Sequence, residues 1–386
     1  MKLYIIAGEA SGDLHGSNLV KGLKDVDPSV EIRGIGGQKM KEAGADIWRD
    51  YKDTAVMGFT AVVSHLGKIA RNMRECRQDI LLYSPDAVIL IDYPGFNLQI
   101  AGFAHKKGFP VFYYIAPKVW AWKEWRVRKI RKFVDRVFVI FPFEVDYFAK
   151  HGIRAEFDGN PLMDSVASDK SRFEGRESFL KRNALSDVPI IALLPGSRKM
   201  EISFLMPRFA ELERLAAVGG SRLASCQFVL AAAPEIDLDF YKGFLSSESR
   251  IRILKGETYG ILKNSICAVV DSGTATLEAA LIGVPEVAVY GGGALSFALA
   301  TSLIRLKNYT LPNIIMGRPV IVELMQDACT ARGIGAECER LIYDNAYRSA
   351  MQRDYDELRG LLGEPGASQR TARSMIDSIN SKNTQR

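Results

Sequence analysis

Two carboxylates stand where proton chemistry is easy to stage. Asp92 closes the apolar run Ala87–Ile91 and is followed by Tyr93-Pro94-Gly95-Phe96-Asn97. That places it at the carboxyl end of an expected buried strand, where partial burial raises a carboxyl pKa and suits it to abstract a proton. The same position would also suit a helix cap. Glu9 lies in Gly8-Glu9-Ala10-Ser11-Gly12-Asp13, after the run Leu3–Ala7 and before a helical pattern through Leu14, Leu19 and Leu23. Glycines there permit close backbone approach, and a helix start attracts anions or polar groups. The string has neither the lysine of a Walker loop nor the spacing of a dinucleotide fingerprint, so it supports neither ATP nor dinucleotide binding. Gly34-Ile35-Gly36-Gly37 reads as a structural turn.

A second set of residues suits phosphate. Leu194-Pro195-Gly196-Ser197-Arg198 ends another expected strand with a Gly-Ser turn and an arginine, whose guanidinium pairs with two phosphate oxygens at once. Asp271-Ser272-Gly273-Thr274-Ala275-Thr276-Leu277-Glu278 is the most specific string in the chain. The hydroxyls of Ser272 and Thr274, with the amides around Gly273, open a helix able to hold a diphosphate. Glu278, one turn on, could reach ribose hydroxyls; an ordinary capped helix is the alternative.

The third set is basic and aromatic. The chain has 51 Lys and Arg against 45 Asp and Glu, a net charge of +6, and the segment Lys118–Arg136 alone carries that excess. It also holds Trp120, Trp122 and Trp125, three of the four tryptophans. Indoles beside Lys123 and Arg126 suit a partner that joins acyl chains to phosphate, as at a membrane surface. Nucleic acid could use the same pairing, and a solvated helix face would need no partner at all. Val56–Leu66, with Met57, Phe59, Val62, Val63 and Leu66 and no acid, Lys or Arg, could embed in lipid or form a buried helix.

The elements that must position these groups alternate strand with helix. Leu3–Ala7, Ala87–Ile91, Val111–Ile115 and Val137–Phe141 read as strands of one doubly wound unit, with Ile69, Met73, Cys76 and Ile80 at helical spacing between them. Ile190–Leu194, Phe228–Ala232, Cys267–Asp271 and Glu286–Tyr290 start a second unit after a polar stretch at 166–189. The expected architecture is α/β: two tandem doubly wound, Rossmann-like domains, 1–166 and 167–345, facing a cleft at their strands' carboxyl ends. Helices over 346–386 pack across domains or between subunits. Five cysteines without C-x-x-C spacing read as reduced thiols of a cytosolic protein. The first apolar run is too short for a signal peptide, and glycines 291–293 break the uncharged stretch 287–304 into strand, turn and apolar helix.

The succession AGEASGD (Ala7–Asp13), GIGG (Gly34–Gly37), MGF (Met57–Phe59), IDYPGFN (Ile91–Asn97), PKVWAW (Pro117–Trp122), LPGSR (Leu194–Arg198), SGTATLE (Ser272–Glu278) and LPNIIMGR (Leu311–Arg318) resembles the lipid-A-disaccharide synthases, inverting glycosyltransferases of GT-B architecture. The resemblance implies transfer of 2,3-diacylglucosamine from its UDP derivative to the 6-hydroxyl of 2,3-diacylglucosamine 1-phosphate, giving a β-1,6-linked disaccharide and UDP. It implies Asp92 as base with Glu9 as the nearby acid, and Arg198, Ser272, Gly273, Thr274, Glu278 and Asn313 toward UDP. It further implies no metal or cofactor, no nucleic-acid partner, work at the cytoplasmic face of a Gram-negative inner membrane, and a homodimer through the C-terminal region. Two departures stand out: Gly95 where some members carry a second acid, and Gly291-Gly292-Gly293 after Tyr290 where many carry a basic residue. A UDP-sugar 2-epimerase on the same architecture and a basic RNA- or membrane-binding module remain as alternative readings.

Overall fold

Two all-parallel sheets, whose central strands are apolar runs buried on both faces, form the framework of a computed structural model describing residues 1–54, 66–121, 123–218, 221–291 and 308–384. The first sheet contains β1 (Lys2–Ala7), β2 (Glu31–Gly36), β3 (Asp46–Asp50), β4 (Ala87–Ile91), β5 (Val111–Tyr114), β6 (Arg136–Val139) and β7 (Ala155–Phe157), in the order β3-β2-β1-β4-β5-β6-β7. The second contains β8 (Ile190–Leu194), β9 (Gln227–Ala232), β10 (Arg252–Lys255), β11 (Ser265–Asp271), β12 (Glu286–Tyr290) and β13 (Val322–Met325), in the order β10-β9-β8-β11-β12-β13. Each is a Rossmann-like sheet, and together they give the two-domain GT-B fold class. The strand order reverses between β1 and β4 in one sheet and between β8 and β11 in the other, the positions where open parallel sheets bind ligands.

Helices cover both sheets because their apolar residues recur on one face. In the Leu66–Tyr83 helix, Met73, Cys76 and Ile80 join the core that holds Tyr4, Val88 and Leu90. The Pro94–Lys106 helix opens on a proline, whose missing N–H costs nothing in the first turn, and buries Leu98, Ile100, Ala101 and Ala104. The turn expected over Gly34–Gly37 is mostly strand: Gly34–Gly36 end β2 and the chain turns only at Gly37, where Asp13 accepts from the Gly37, Lys39 and Met40 amides at 2.7, 3.1 and 3.1 Å and so caps the next helix.

Contacts divide the chain into Met1–Asp164 with Leu362–Arg386, and Ser165–Leu361. The two last helices, grouped as 346–386 from sequence, therefore part company. Asn345–Leu362 sets Met351, Tyr355 and Leu358 against the second unit, where Gln352 donates to the Gly283 carbonyl at 2.8 Å. After Gly363 and Gly366, both at positive φ, Ala367–Thr384 joins the first unit. Its Ala372, Met375, Ile376 and Ile379 pack with Leu19 and Leu23 of the Ala10–Val26 helix. Asp164 caps it by accepting from the Gly366, Ala367 and Ser368 amides. The apolar face of this helix is thus covered by its own chain. All five cysteines are free thiols. The apolar helix expected after Gly293 lies outside the described residues.

Candidate active site

Asp92 follows β4 at the reversal of the first sheet, with its backbone in the left-handed region at φ 41°, and Tyr93 repeats this at 47°. Ile115, just past β5, has φ 56° although it is β-branched. Such residues cost about 1–3 kcal/mol each and cluster at functional sites, where the surroundings over-determine them. Here the restraints are explicit. The Tyr113 hydroxyl donates to the Asp92 carbonyl at 2.7 Å, and the Asn97 amide donates to the Asp92 and Ile91 carbonyls at 2.8 and 3.1 Å. The Tyr93 ring crosses so near β1 that a Cβ on Gly8 would lie 2.2 Å from it, which requires glycine before Glu9.

A cavity of about 410 Å³ opens over these loops, lined by Glu9, Asp92, Lys118, Arg126 and Glu144 among apolar and backbone groups. Burial, then the charge of Glu9, pushes the Asp92 carboxyl up to about 6, while Lys118 and Arg126 pull the other way. Lys118 lines the cavity with its side chain exposed, and desolvation by the surrounding protein lowers its pKa against the pull of Asp92 and Glu144. Glu144, beneath, is raised to about 7 by burial. It accepts from the Trp120 indole at 2.9 Å and from the Phe141 and Ile140 amides at 3.1 and 3.2 Å. The arrangement offers one strained, partly desolvated base beside two further acids, Glu9 and Glu144, and two cations.

In the second unit, the loops after β8 and β11 lie at the other reversal point. Gly196 has φ +90°, and a Cβ there would come 2.6 Å from Glu201 Oε2 and 2.7 Å from Asp271 Oδ2, so only glycine fits. Glu201 accepts from the Ser197 and Arg198 amides at 3.0 Å each and pairs with the Arg198 guanidinium at 3.2 Å, leaving that side chain largely exposed. Burial, then Glu201, pushes Asp271 up to about 8. The nine-residue Thr274–Ile282 helix begins on Gly273 without a side-chain cap, and Gly273 and Thr274 are exposed. Its first amides and Arg198 together suit an anion. Glu278, one turn on, accepts from the Tyr259 hydroxyl at 2.6 Å.

The expected site residues thus fall into two groups: Asp92 and Glu9 at one cavity, and Arg198, Ser272, Gly273, Thr274 and Glu278 on the second unit's strand-end loops. Asn313 stands apart. Its amide donates to the Ile321 carbonyl and Glu323 at 2.9 Å each and accepts from the Val320 and Ile321 amides at 2.7 and 2.9 Å. The side-chain amide thereby makes all four of its hydrogen bonds within the protein and braces this loop, leaving it none to offer UDP in this arrangement. Trp120 also departs from its expected lipid role. It turns inward to Glu144 and meets the Phe143 ring edge-on at 5.0 Å. Trp125 is 56% exposed instead, with Arg126 and Lys129 over its ring at 5.8 and 5.4 Å. Lys123 is exposed, whereas Arg126 lines the cavity. Met57, Phe59, Val62, Val63 and Trp122 lie outside the described residues, and Leu66 begins a helix.

Sequence reasoning overlooked Asn97, Tyr113 and Glu144 as parts of the site, and Glu201, Asp271 and Tyr259 around the second. Pro142-Phe143-Glu144 spells a helix start, a usable signal for Glu144. Tyr113 is one more apolar strand residue and gives none. A larger recess, about 700 Å³, opens at the opposite, amino-terminal edge of the second sheet near Pro189–Ile190 and Asn264–Ile266. Its Arg176 and Lys263 are spent on Asp187 and on backbone carbonyls, leaving little for chemistry.

Comparison with known proteins decides among enzymes of this fold. A family model described as lipid-A-disaccharide synthetase matches residues 3–376. The chain belongs to this family. It is 41% identical over 372 residues to the lipid-A-disaccharide synthase of Syntrophus aciditrophicus, covering 96% of each chain. It is 37% identical over 382 residues to that of Geobacter metallireducens, covering 99% of this chain and 98% of the other. Among solved structures, the UDP-GlcNAc 2-epimerase of Neisseria meningitidis bound to UDP-GlcNAc superposes with a TM-score of 0.70 at 12% identity, covering 98% of this chain and 100% of that one. The calicheamicin glycosyltransferase CalG4 gives 0.58 at 16% identity, covering 98% and 97%. These two likenesses report the fold alone, while family membership makes the chain a glycosyltransferase of lipid A biosynthesis rather than an epimerase.

Proposed function

We propose that this chain joins UDP-2,3-diacylglucosamine to 2,3-diacylglucosamine 1-phosphate, forming the β-1,6-linked disaccharide 1-phosphate and UDP with inversion. The Asp92 carboxylate takes the proton of the acceptor's 6-hydroxyl as that oxygen bonds to the donor's anomeric carbon. The bond from that carbon to the diphosphate breaks on the opposite face, and UDP leaves with the electron pair. Arg198, the Ser272 and Thr274 hydroxyls and the amides after Gly273 neutralise the departing charge, and Glu278 addresses the ribose. No metal or cofactor enters these steps. The observation that carries the reading is Asp92 itself, a carboxylate held in a strained backbone beside a cavity at a sheet's reversal point.

Membrane association follows the same reading. Trp125, Lys123 and the exposed Arg128, Lys129, Arg131 and Lys132 of the Val127–Phe133 helix suit an anionic lipid surface, here the cytoplasmic face of the inner membrane. No described helix is long and apolar enough to cross a bilayer.

The test is incubation of the purified protein with both substrates and mass analysis of the lipid product. Asp92→Asn is expected to lower kcat by about 10²- to 10⁴-fold, the usual worth of a positioned base, while UDP still binds. Undiminished turnover would remove Asp92 as the base, and absence of a disaccharide from the unaltered protein would remove the reaction.

A further inference from the structure

The cavity beside Asp92 contains two cations that the proton transfer does not require. Lys118 comes from the loop after β5, and Arg126 ends the Glu124–Arg126 turn before the basic helix. Both interact electrostatically with Asp92, and Lys118 with Glu144 as well. The donor's diphosphate has its own cationic group, Arg198, on the second unit, so it does not account for them.

We infer that Lys118 and Arg126 form the subsite for the phosphate monoester at the acceptor's anomeric carbon, across the sugar ring from the hydroxyl that Asp92 deprotonates. The inference rests on the proposed function and deepens it. Sheet geometry supports it: β1, β4 and β5 are neighbours in that order, so Glu9, Asp92 and Lys118 emerge from consecutive strands. Adjacent strands are about 4.8 Å apart, a spacing that a pyranose ring can bridge from the loop after β4 to the loop after β5. Electrostatics supports it too. A phosphate monoester carries nearly two negative charges at neutral pH, and the acids Glu9, Asp92 and Glu144 would repel it from the cavity without opposing cations. Arg126 can grip two phosphate oxygens through its planar fork, while Lys118 supplies a compact point charge. The same cations favour the ionised form of Asp92, so a bound phosphate would not silence the base.

The deciding experiment uses the full chain with two acceptors, 2,3-diacylglucosamine 1-phosphate and its 1-O-methyl counterpart without phosphate. The quantity read is the ratio of their kcat/KM values, in which any general effect on Asp92 cancels. The unaltered protein should favour the phosphorylated acceptor, and Arg126→Gln or Lys118→Gln should shrink that ratio by about tenfold or more, as loss of a charge-assisted hydrogen bond does. UDP affinity, which also reports folding of each variant, should stay unchanged. A ratio that survives both substitutions overturns the subsite. So does an equal fall on both acceptors, or a loss of UDP affinity in its place. Calorimetric titration with glucosamine 1-phosphate and with glucosamine reads the subsite without turnover. If the unaltered protein makes no disaccharide, the proposed function fails; phosphate-dependent binding that both variants abolish would still support the subsite, and its absence would end it.

Discussion

A base must be ionised to work, and Asp92 is set so that this happens just below neutrality. Burial holds its pKa near 6 and Glu9 adds to the rise. We expect kcat/KM to fall about tenfold per pH unit below 6 and to level off above it, since only the ionised fraction accepts a proton. Glu9→Gln removes a negative neighbour, so the acid limb should move to lower pH whatever happens to the plateau rate. A limb that moved upward in a pH-rate series would contradict the pairing. The sign for stability is the reverse. With a folded pKa above the ordinary 3.8, Asp92 favours the fold below about pH 4, and that contribution is lost as pH rises through 6. Holding this carboxylate ionised therefore costs stability at the pH where it is useful.

At the scale of elements, the working parts are loops at strand ends, stiffened where they turn. In the first unit the left-handed pair Asp92 and Tyr93 is held by Tyr113 from β5 and by Asn97 from the helix that follows. In the second, Gly196 lets the loop after β8 pass against Glu201 and Asp271, and Glu201 in turn holds Arg198. Gly196→Ala meets both obstacles, a disfavoured φ and two carboxylates closer than a Cβ tolerates. It should destabilise by more than about 1 kcal/mol and weaken UDP binding while leaving the Asp92 loop intact. Urea unfolding and a UDP titration check this; unchanged UDP affinity in a folded variant would dissociate the loop from nucleotide recognition.

At the scale of the whole molecule, each unit is closed by a helix that follows the second sheet in the sequence. The Asn345–Leu362 helix stays with the second unit, and the Ala367–Thr384 helix returns to the first, where Met375 is fully buried among Leu19, Leu23 and Ile89. Truncating a buried methionine to alanine typically costs about 2–5 kcal/mol. Met375→Ala should therefore weaken hydrogen-exchange protection of β1 and the Ala10–Val26 helix, more than 340 residues away in sequence, and spare β8 and β11. Uniform loss across both units, or none in the first, would show that the helix does not belong to that core.

Local pattern alone determined a good deal: the apolar strands, the two-unit α/β organisation, and the position of Asp92, Glu9, Arg198 and the Ser272–Thr274 turn at strand ends. Hydrophobic periodicity and turn chemistry are properties of a few neighbouring residues, so they are written in the chain. The tertiary structure decided which of those ends become neighbours, by pairing β1 with β4 and β8 with β11 across long crossovers. It also decided the roles of side chains whose partners are remote. Trp120 became part of the cavity's support by bonding Glu144, Asn313 was consumed by Glu323 and the Val320–Ile321 amides, and Tyr113 came to hold Asp92. Burial and hydrogen-bond satisfaction depend on segments that meet only after folding, which is why composition and spacing named the candidates but did not assign every task.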